Sequence, residues 1–451
     1  MSITTNRPLP LSITDLIAIA RGRSPFYKEL YKNVGSSDLP LEKYPLIEQA
    51  DFWKATSQES NQVLTESQTN GVVFKSGGTT GAPKHSVFTK SEWHYFNECF
   101  GRGIAAGGLT PGSRVANLFY AGELYASFLF IAKSLELAPV ETLHFPIGGA
   151  TPVSEIINIL NHFQIDTLAG APTTIMSIIE YLEQNQESKS TVLPPIARIL
   201  FGGETMYPDQ RARISALYPA ARISSIGYAS VDAGLLGYTT PNCGPGVHFT
   251  FSNDTIVEVI DEDTGATITE PHRPGKLVVT NLGRLLMPII RYPVGDRAQW
   301  LDQEGQKVLD GGGLLPTDRR FQLLGRSEEA ARVGPISLYY EDVRQVLESF
   351  SCSDYQLVLE HHDSRDGIIL RIASPTLGKH RAQDNARREL RAQIIEALYR
   401  ARPLFPQLVA EGKVHAPVIE FVAHSALQCN HRTGKLRRII DQRSDERFGV
   451  C

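Results

Sequence analysis

The chain has 451 residues and a mass of 49.8 kDa, a length that favours two or three domains over one hydrophobic core. Its 42% apolar and 21% charged residues are typical of a water-soluble enzyme, and a net charge of −4 gives no electrostatic reason to expect nucleic acid or an anionic membrane as a partner. Five scattered cysteines without a CxxC pair favour reduced thiols. The sequence shows neither a signal-peptide pattern nor an apolar run of membrane length, so we expect a soluble cytoplasmic protein.

The predicted elements begin with helices over residues 13–34, interrupted near Gly22 and Pro25, and a turn-rich segment over 38–53. Residues 72–89 predict a strand, a loop and a second strand. Glycines let backbone amides approach an anion, and hydroxyl and ammonium groups add donors and charge, so the loop suits a polyphosphate. An ordinary surface turn is the alternative from this loop alone. The loop residues of interest are Ser76, Gly77, Gly78, Thr79, Thr80, Gly81 and Lys84.

Two common nucleotide-binding motifs do not fit this chain. A Walker loop needs Gly-Lys followed by Ser or Thr at the start of a helix, whereas Lys84 follows Pro83 and precedes His85. The Gly-Lys pair at 434–435 is followed by leucine. No GxGxxG opens the first strand–helix unit, so a Rossmann dinucleotide site is unsupported.

After a helix over 90–106, strand patterns alternate with helix patterns. This alternation predicts an α/β fold with a parallel sheet covered by helices on both faces, and ligands bind beyond the carboxyl ends of such strands. The predicted strands lie at 113–119, 139–145, 165–170, 197–203 and 221–228. The predicted helices lie at 122–137, 153–163, 172–184 and 208–218.

From about Gly244 the helical pattern gives way to short strands and turns. Strand patterns at 248–265, 275–282 and 289–301 predict a β subdomain over about 244–325, within a large N-terminal domain over 1–325. A small α+β C-terminal domain over 326–451 follows. Its expected elements are a helix at 337–350, strands at 355–362 and 367–374, a basic helix from Lys379 to Arg400 and a strand at 417–423.

Five further motifs carry a resemblance to a known family. They are FGGET at 201–205, GYASVDAG at 227–234, RYPVGD at 291–296, GRSEE at 325–329 and HRTGKLRRIID at 431–441. Together with the glycine loop, and in this order, they resemble the adenylate-forming superfamily of acyl-CoA synthetases, nonribosomal-peptide adenylation domains and luciferase. SPFYKELY at 24–31 and MPIIRYPVGD at 287–296 make the chain most similar to phenylacetate-CoA ligase and its short relatives. The resemblance covers essentially the whole chain.

The resemblance implies a two-step reaction with ATP, Mg²⁺ and coenzyme A. A carboxylic acid, expected to be aromatic, would react with ATP to give an acyl-adenylate and pyrophosphate, and a thiol would then displace AMP. A carboxylate is a poor electrophile until its oxygen becomes part of a good leaving group, so such catalysis holds two anions in line and neutralises their charge. The implied lid domain is mobile, with a hinge near Glu328. The resemblance also leaves room for a homodimer.

Motif matching assigns roles to individual residues. Lys435 would be the adenylating lysine, Asp232 would hold Mg²⁺, and Thr80 would join them in catalysis. Asp296 would bind the ribose hydroxyls, with Arg326 on the ribose or phosphate. The glycine loop, from Ser76 to Lys84, would hold the β- and γ-phosphates, while the adenine would lie among Gly202, Gly203, Glu204 and Tyr228.

The sequence also departs from the family pattern. The usual Tyr-Gly-x-Thr-Glu becomes Tyr228 to Asp232, which loses a threonine hydroxyl that Ser230 could replace. Glu328 stands where the family carries Asp, and the following loop at 329–334 is about two residues short. Because that loop would help to form the thiol channel, two alternatives stay open. The acceptor could instead be an amine, a carrier protein or a reductase, or the chain could be a degenerate homologue that binds nucleotide or aryl acid without turnover.

Three weaker candidates complete the sequence interpretation. Cys243 and His248 lie where some relatives are thought to carry zinc, although one Cys-x4-His is a thin pattern. Tyr120 and Tyr125 could line an acid pocket or belong to an ordinary helix face. The basic helix could contact the CoA 3′-phosphate or form a solvated surface.

Overall fold

The amino-terminal part of the chain forms three short helices in the computed structural model. The model describes residues 8–35, 39–56, 60–76, 84–185, 192–262, 264–304, 313–315, 317–326, 330–350, 355–373, 381–423, 426–428 and 436–443. The helices are α1 (Ile13–Arg23), α2 (Pro25–Leu30) and α3 (Gln49–Thr56), with a 3-10 turn at Leu41–Lys43. The break predicted near Pro25 falls at Ser24, whose hydroxyl accepts a bond from the first turn of α2.

The glycine loop is bounded by an antiparallel pair of strands, β1 (Val72–Ser76) and β2 (Lys84–Phe88). Ser76 lies opposite Lys84, so the two ends of the loop face each other. Helix α4 (Lys90–Ala106) follows, and its first turn is closed by a reciprocal capping box between Thr89 and Glu92. The Glu92 carboxylate also accepts two later backbone N–H bonds, which ties the start of α4 to a distant loop.

The next region confirms the predicted parallel sheet with flanking helices. Five described strands lie in the order β4-β3-β5-β6-β7, all parallel. Helices α4 and α5 pack on one face and α6, α7 and α8 on the other, each against its own apolar cluster. The elements are β3 (Ser113–Asn117), α5 (Ser127–Glu136), β4 (Thr142–Pro146), α6 (Val153–His162), β5 (Thr167–Gly170), α7 (Pro172–Asn185), β6 (Arg198–Phe201), α8 (Pro208–Leu217) and β7 (Arg222–Ser225).

A hairpin and an antiparallel sheet follow. Among the described strands, six form this sheet in the order β10-β15-β14-β13-β11-β12, which is the β subdomain expected from the sequence. The amino-terminal helices cover one face of it, because Tyr27, Tyr31 and Phe52 are buried in the same apolar cluster as Leu277 and Ile289. The elements are β8 (Tyr228–Ser230), β9 (Gly234–Gly237), β10 (Val247–Phe249), β11 (Thr255–Ile260), β12 (Thr267–Ile268), β13 (Gly275–Asn281), β14 (Ile289–Trp300) and β15 (Arg320–Arg326).

The carboxy-terminal part has its own hydrophobic core. Four of its described strands form a mixed sheet in the order β20-β19-β18-β21. The domain boundary at 325/326 lies at the end of β15 and stays a prediction. Of the described helices, none has the length and apolar character that crossing a membrane requires. The elements are β16 (Ala330–Val333), β17 (Ile336–Tyr339), α9 (Tyr340–Glu348), β18 (Tyr355–His362), β19 (Arg365–Ala373), α10 (Arg381–Ala401), α11 (Leu404–Ala410), β20 (Val418–Val422) and β21 (Ile439–Asp441).

Two predicted helices begin later than the sequence pattern indicates. The helix predicted at 122–137 begins at Ser127, because Glu123 and Leu124 have positive φ angles of 48° and 64° in a loop after β3. The helix predicted at 337–350 begins at Tyr340, because Ile336–Tyr339 pairs with β16 as a strand. In both places a tertiary or strand contact overrides a local helical pattern.

Candidate functional site

Lys84 is a buried cation at the first position of β2. Only 5% of its side chain is exposed, and its Nζ lies 3.6 Å from Oδ2 of Asp232. The same ammonium donates to Oε1 of Gln49 at 3.0 Å and lies 5.3 Å from the ring centroid of Trp53. The lysine predicted to bind phosphate is therefore held by the acid predicted to hold magnesium and by two residues of α3.

The hydroxyl of Tyr292 completes this cluster. It donates to Oδ2 of Asp232 at 3.0 Å and accepts the indole N–H of Trp53 at 3.0 Å. Nζ of Lys84 lies 3.5 Å away. A phenol can donate one bond and accept two, so its hydrogen-bonding capacity is filled. Tyr292 thus joins α3, β2, the β8–β9 turn and β14 at one point.

The charge of Asp232 is set by these neighbours. Burial alone would raise the pKa of this carboxyl, but Lys84 and the hydrogen bonds from Ser230 and Tyr292 outweigh burial and hold the pKa below its ordinary value. Ser230 does supply a hydroxyl to this segment, as the sequence comparison with the family pattern suggested. Asp232 is therefore ionised and paired with Lys84. An ionised carboxylate is the form that can bind a metal cation.

A second contact lies along the same pair of elements. The Tyr228 hydroxyl donates to Oδ2 of Asp296, and the Tyr228 ring lies against His248 and Phe321 with centroids 5.7 and 6.4 Å away. The hairpin therefore meets β14 twice, through Tyr228 with Asp296 and through Asp232 with Tyr292. We call these two contacts, together with Lys84, the seam. Arg326 lies opposite Asp296 in the pairing of β14 with β15.

The residues after β6 form a separate part of the candidate site. Gly203 has a positive φ of 82°, and a Cβ at Gly202 would lie 2.8 Å from the side chain of Ile226, so both positions favour glycine. The Glu204 carboxylate accepts from the backbone N–H and the hydroxyl of Thr173 at 3.2 and 3.0 Å. Burial raises the pKa of Glu204 to about 7, and the positive charge of Arg332 opposes that rise.

The β18–β19 hairpin of the carboxy-terminal part docks beside this region. The imidazole of His361 stacks on Tyr207 with centroids 3.7 Å apart, and its Nε2 lies 3.1 Å from Oδ1 of Asp209. Gln210 donates to the backbone oxygen of Ser364 at 3.0 Å. These contacts join α8 and the residue before it to the hairpin, and we call them the docking contact.

A buried ion pair supports the hairpin from behind. Nη1 of Arg443 lies 2.6 Å from Oδ2 of Asp366, and His361 Nδ1 lies 2.8 Å from the other carboxylate oxygen. Burial alone would raise the pKa of Asp366, but Arg443 and the His361 hydrogen bond hold it below its ordinary value. The histidine that meets the amino-terminal part is therefore oriented by a charged group of its own sheet.

Several predicted residues lie outside the described part of the chain. These are Gly77, Gly78, Thr79, Thr80, Gly81, Glu328 and Lys435. For Ser76 and Arg326 the structure describes the strand positions only. Beyond Lys435, the described residues Arg437 and Arg438 make backbone bonds to Gln428 and Leu357 within the carboxy-terminal sheet.

The zinc hypothesis gains no support from the described residues. The Cys243 thiol accepts from the backbone of Thr240 at 3.3 Å, while His248 contacts Ser225 and the carbonyl of Gly246. Burial lowers the pKa of His248 to about 4, so this ring is neutral at pH 7. In the described ranges, the cluster with metal-ligand spacing lies elsewhere and contains neither residue.

The two tyrosines proposed for an acid pocket differ in environment. Tyr120 lies after β3, where its hydroxyl accepts from Nζ of Lys413 at 3.1 Å. Tyr125 is 46% exposed in the loop that precedes α5. Tyr120 therefore meets the carboxy-terminal part, whereas Tyr125 faces solvent.

Two known proteins are similar to this chain over almost its full length. The chain is 22% identical over 436 residues to a phenylacetate-coenzyme A ligase of Thermus thermophilus, covering 95% of this chain and 94% of the relative. A crystal structure of 2-hydroxyisobutyryl-CoA ligase with 2-HIB-AMP and CoA in the thioesterification state superposes with a TM-score of 0.71, 18% identity and coverage of 95% and 88%. The chain shares the fold of this CoA ligase and is similar in sequence to the phenylacetate-coenzyme A ligase over almost its full length. No protein-family model matches the chain.

Two further comparisons are with synthetases. An indoleacetate–lysine synthetase of Pseudomonas savastanoi is 26% identical over 205 residues, which cover 45% of this chain and 46% of the relative. The amide bond synthetase McbA of Marinactinospora thermotolerans superposes with a TM-score of 0.51, 15% identity and coverage of 90% of this chain and 71% of that chain.

The postadenylation state of 2-hydroxyisobutyryl-CoA ligase gives a TM-score of 0.60 at 18% identity, with coverage of 96% of this chain and 89% of that chain.

Sequence reasoning missed some of the residues that build the seam. Tyr292 lies inside the RYPVGD motif at 291–296, so the motif itself pointed to it. Gln49 and Trp53 carry no motif, and only the packing of α3 against β14 brings them to Lys84. His361 and Asp209 likewise meet only because the carboxy-terminal sheet docks on α8.

Proposed function

We propose that the chain is an AMP-forming ligase that activates a carboxylic acid with ATP and passes the acyl group to the thiol of coenzyme A. The seam is the observation that carries this proposal, because it gathers Lys84, Tyr228, Asp232 and Asp296 from three separate motifs. In the first step a carboxylate oxygen bonds to the α-phosphorus and pyrophosphate leaves. In the second step the thiol sulfur bonds to the acyl carbon, AMP leaves, and the thiol proton passes to solvent.

Lys84 is proposed to neutralise the departing pyrophosphate. Its ammonium is already desolvated and held by Asp232, so it pays little further desolvation when a phosphate oxygen approaches from the loop joining Ser76 to Lys84. A preorganised donor of this kind lowers a transition-state barrier by about 3 kcal/mol. Thr79, Thr80 and the loop glycines Gly77, Gly78 and Gly81 are proposed to share this task.

Asp232 is proposed as the protein ligand of Mg²⁺. Magnesium sites at phosphates commonly use one or two carboxylates and leave the other positions to phosphate oxygens and water, and the ionised, oriented Asp232 fits that requirement. The metal would supply charge neutralisation of the phosphates when bound. Tyr292 would hold the carboxylate in place while Lys84 shifts toward phosphate.

The nucleoside is proposed to lie along the other contact of the seam. Asp296 accepts from the Tyr228 hydroxyl and lies opposite Arg326 in the pairing of β14 with β15, and these three residues are proposed to bind the ribose and its phosphate. Gly202 and Gly203 would border the adenine at the end of β6. Glu204 is engaged with Thr173, so its proposed place beside the adenine is supported by its position rather than by its hydrogen bonds.

The present arrangement of the two parts is proposed to serve the transfer step. The docking contact joins them, and the TM-score is higher for the thioesterification state than for the postadenylation state. A lid rotation near Glu328 would bring Lys435 to the carboxylate and α-phosphate for adenylation. The protein is proposed to act in the cytoplasm, where ATP and CoA are available, and a homodimer is the assembly to be tested.

The substrate is proposed to be an aromatic acid. Two of the compared relatives act on arylacetic acids by name, a phenylacetate ligase and an indoleacetate–lysine synthetase. The loop after β3 carries Tyr120 and reaches β1, where the backbone N–H of Lys75 donates to the Leu124 carbonyl at 2.9 Å.

An amine acceptor is the second candidate. It is favoured by the indoleacetate–lysine synthetase and the amide bond synthetase McbA among the compared proteins. In that reaction the amine nitrogen bonds to the acyl carbon, AMP leaves, and the nitrogen gives up a proton. Both candidates share the first step and differ only in the acceptor.

Pyrophosphate exchange tests the shared first step. The wild-type chain is incubated with ATP, Mg²⁺, labelled pyrophosphate and a panel of aryl acids, and at least one acid is expected to drive label into ATP. Lys84→Met should lower that exchange about a hundredfold, whereas Lys28→Met, an exposed lysine on α2, should leave it unchanged. ATP binding without exchange for any acid would instead favour the degenerate homologue.

The acyl acceptor is identified with an acid that supports pyrophosphate exchange. With an active acid, AMP release is measured with CoA and with a panel of amines. CoA-dependent release of AMP is the expected result. Exchange accompanied by amine-dependent release alone would replace the CoA ligase with the amide-forming enzyme.

A further inference from the structure

The turn between β18 and β19 gathers two imidazoles and a carboxylate at the surface. His362, Asp363 and His415 each offer a ligand atom, and these atoms lie within 4.8 Å of one another. The rings of His362 and His415 stack with centroids 3.8 Å apart and planes inclined by 21°. The Asp363 carboxylate lies 3.3 Å from Nδ1 of His362. Two segments of the chain therefore bring metal-type donors together.

The backbone fixes the orientation of His415. Its Nε2 lies 3.0 Å from the carbonyl oxygen of His362, and its backbone N–H donates to the carbonyl of Asp366 at 2.9 Å. With Nε2 as the donor, the lone pair of Nδ1 is left for another partner. Metal-bound histidines commonly donate their second ring N–H to a carbonyl in this way, which fixes the tautomer.

The turn that carries the other two groups is also defined. Asp363 and Ser364 have positive φ angles of 49° and 62°, the left-handed pair that closes a two-residue hairpin. Oε1 of Glu360 lies 3.5 Å from Nε2 of His362 on the same hairpin. Two carboxylates thus flank one imidazole while a second imidazole stacks on it.

We propose that His362, Asp363 and His415 form a binding site for a divalent transition metal of the Zn²⁺ class. Imidazole nitrogen with carboxylate oxygen suits zinc, copper and nickel, whereas Mg²⁺ and Ca²⁺ take oxygen ligands. Two ligands on one Zn²⁺ lie about 3.3 Å apart. The side chains of His362 and Asp363 are 49% and 85% exposed, so rotation can close the remaining gap. Glu360 or water would complete the coordination.

The position of the site gives it a consequence for the rest of the protein. His361, Ser364 and Asp366 lie on the same hairpin and belong to the docking contact or its support. A metal joining the turn to His415 cross-links the hairpin to the segment before β20. The bound ion would therefore restrict the hairpin that meets α8, and this holds whatever acid or acceptor the enzyme uses.

Zinc binding by the full-length chain, carrying no histidine tag, tests the proposal. Isothermal titration with Zn²⁺ is expected to show a site that weakens at least about tenfold in His362→Ala and in His415→Ala. His94→Ala, which removes an exposed histidine on α4, is the matched control and should bind as the wild type does. Equal affinity in all four proteins, or no binding to the wild type, overturns the site.

A spectroscopic measurement identifies the ligands directly. With Cu²⁺ as the probe, electron paramagnetic resonance of the wild type should show coupling to two imidazole nitrogens, and each single variant should show one. His362→Gln, which keeps a polar side chain, is measured beside His362→Ala so that a folding defect in one does not decide the result. A two-nitrogen signal retained in both His362 variants would place the metal elsewhere and overturn the proposal.

Discussion

At the scale of single residues, the hydroxyl of Tyr292 connects the residues of the seam around Lys84 and Asp232. It is bonded to an anion and an indole N–H, and it lies beside an ammonium, all three from segments distant in sequence. Tyr31 offers a natural contrast, because it too is buried but its hydroxyl has no partner among the described residues. Comparing the two tyrosines therefore distinguishes the contribution of burial to stability from the contribution of the hydroxyl's hydrogen bonds.

Replacing Tyr292 with phenylalanine should therefore cost stability and activity. The change removes the bond that Trp53 donates to the Tyr292 hydroxyl and the bond that this hydroxyl donates to Asp232, which predicts a loss of about 1 to 3 kcal/mol in the free energy of unfolding. Chemical denaturation measures the loss, and pyrophosphate exchange should fall in parallel. Tyr31→Phe is the control and should change the free energy by less than about 0.5 kcal/mol. Equal losses in both variants would contradict the argument.

Glu204 predicts a pH dependence of stability. Its pKa is raised from 4.5 to about 7 in the fold, so the folded state binds the proton more tightly than the unfolded state does. Stability from this group is present below pH 4.5 and is lost as the pH rises to about 7. Glu204→Gln removes this titration, so the variant should gain stability relative to the wild type as the pH rises across that window.

Denaturation at pH 5 and pH 8 checks the prediction. The free-energy difference between Glu204→Gln and the wild type should shift in favour of the variant at the higher pH. A difference that is the same at both values would show that Glu204 titrates near its ordinary pKa. Glu136→Gln, on the exposed end of α5, serves as the control.

At the scale of elements, the β18–β19 hairpin is the part of the carboxy-terminal sheet that meets α8. It offers a histidine ring to a tyrosine and a carboxylate, and a backbone carbonyl to Gln210. Asp209 is 42% exposed, whereas His361 is almost fully buried. Asp209 can thus be changed without opening the core behind the hairpin.

Asp209→Asn should slow acyl transfer and spare adenylation. Loss of the charge weakens the docking contact, which is proposed to form only in the transfer arrangement, while the seam is untouched. Transfer from isolated acyl-adenylate should slow several-fold, and pyrophosphate exchange should stay within about twofold of the wild type. Parallel loss of both activities would show that the contact is not specific to one step.

At the scale of the whole molecule, the carboxy-terminal part has an apolar core of its own, and polar side chains of the described residues join it to the rest of the chain. The carboxy-terminal core is separate from the clusters around the parallel and antiparallel sheets. Besides the stacking of His361 on Tyr207, the described contacts between them include hydrogen bonds and ion pairs such as Gln210 with Ser364, Arg365 with Glu180 and Lys413 with Tyr120. Polar interfaces of this kind release more easily than a shared apolar core, which suits the proposed rotation.

Lys435→Ala tests that rotation chemically. If Lys435 acts only in the adenylation arrangement, the variant should lose pyrophosphate exchange by at least about a hundredfold and still transfer the acyl group of a preformed adenylate to the acceptor. Lys413→Ala, in the present interface, should show the opposite pattern. Retained exchange in Lys435→Ala would remove the lysine from the reaction.

Local patterns predicted the helices and strands of the parallel sheet because buried strands and amphipathic helices each leave a clear periodicity. They failed where contacts with other segments determine the local structure. Residues 122–126 form a loop that bonds to β1, and Ile336–Tyr339 pairs with β16 as a strand. The motifs led to Lys84, Tyr228, Asp232 and Asp296, which the structure brings together, although their chemical roles stay predictions. Gln49, Trp53 and the docking contact could not be foreseen, because they depend on how whole elements pack.

The packing of α1 to α3 on the antiparallel sheet also constrains how the protein is made. Trp53 and Tyr292 are separated by 239 residues, and ribosomes add about 5 to 20 residues per second. Roughly 10 to 50 seconds therefore pass between the synthesis of these helices and the synthesis of the strands that bury their aromatic side chains. During synthesis this segment emerges well before the strands that bury it, so its aromatic side chains need protection from aggregation in that interval.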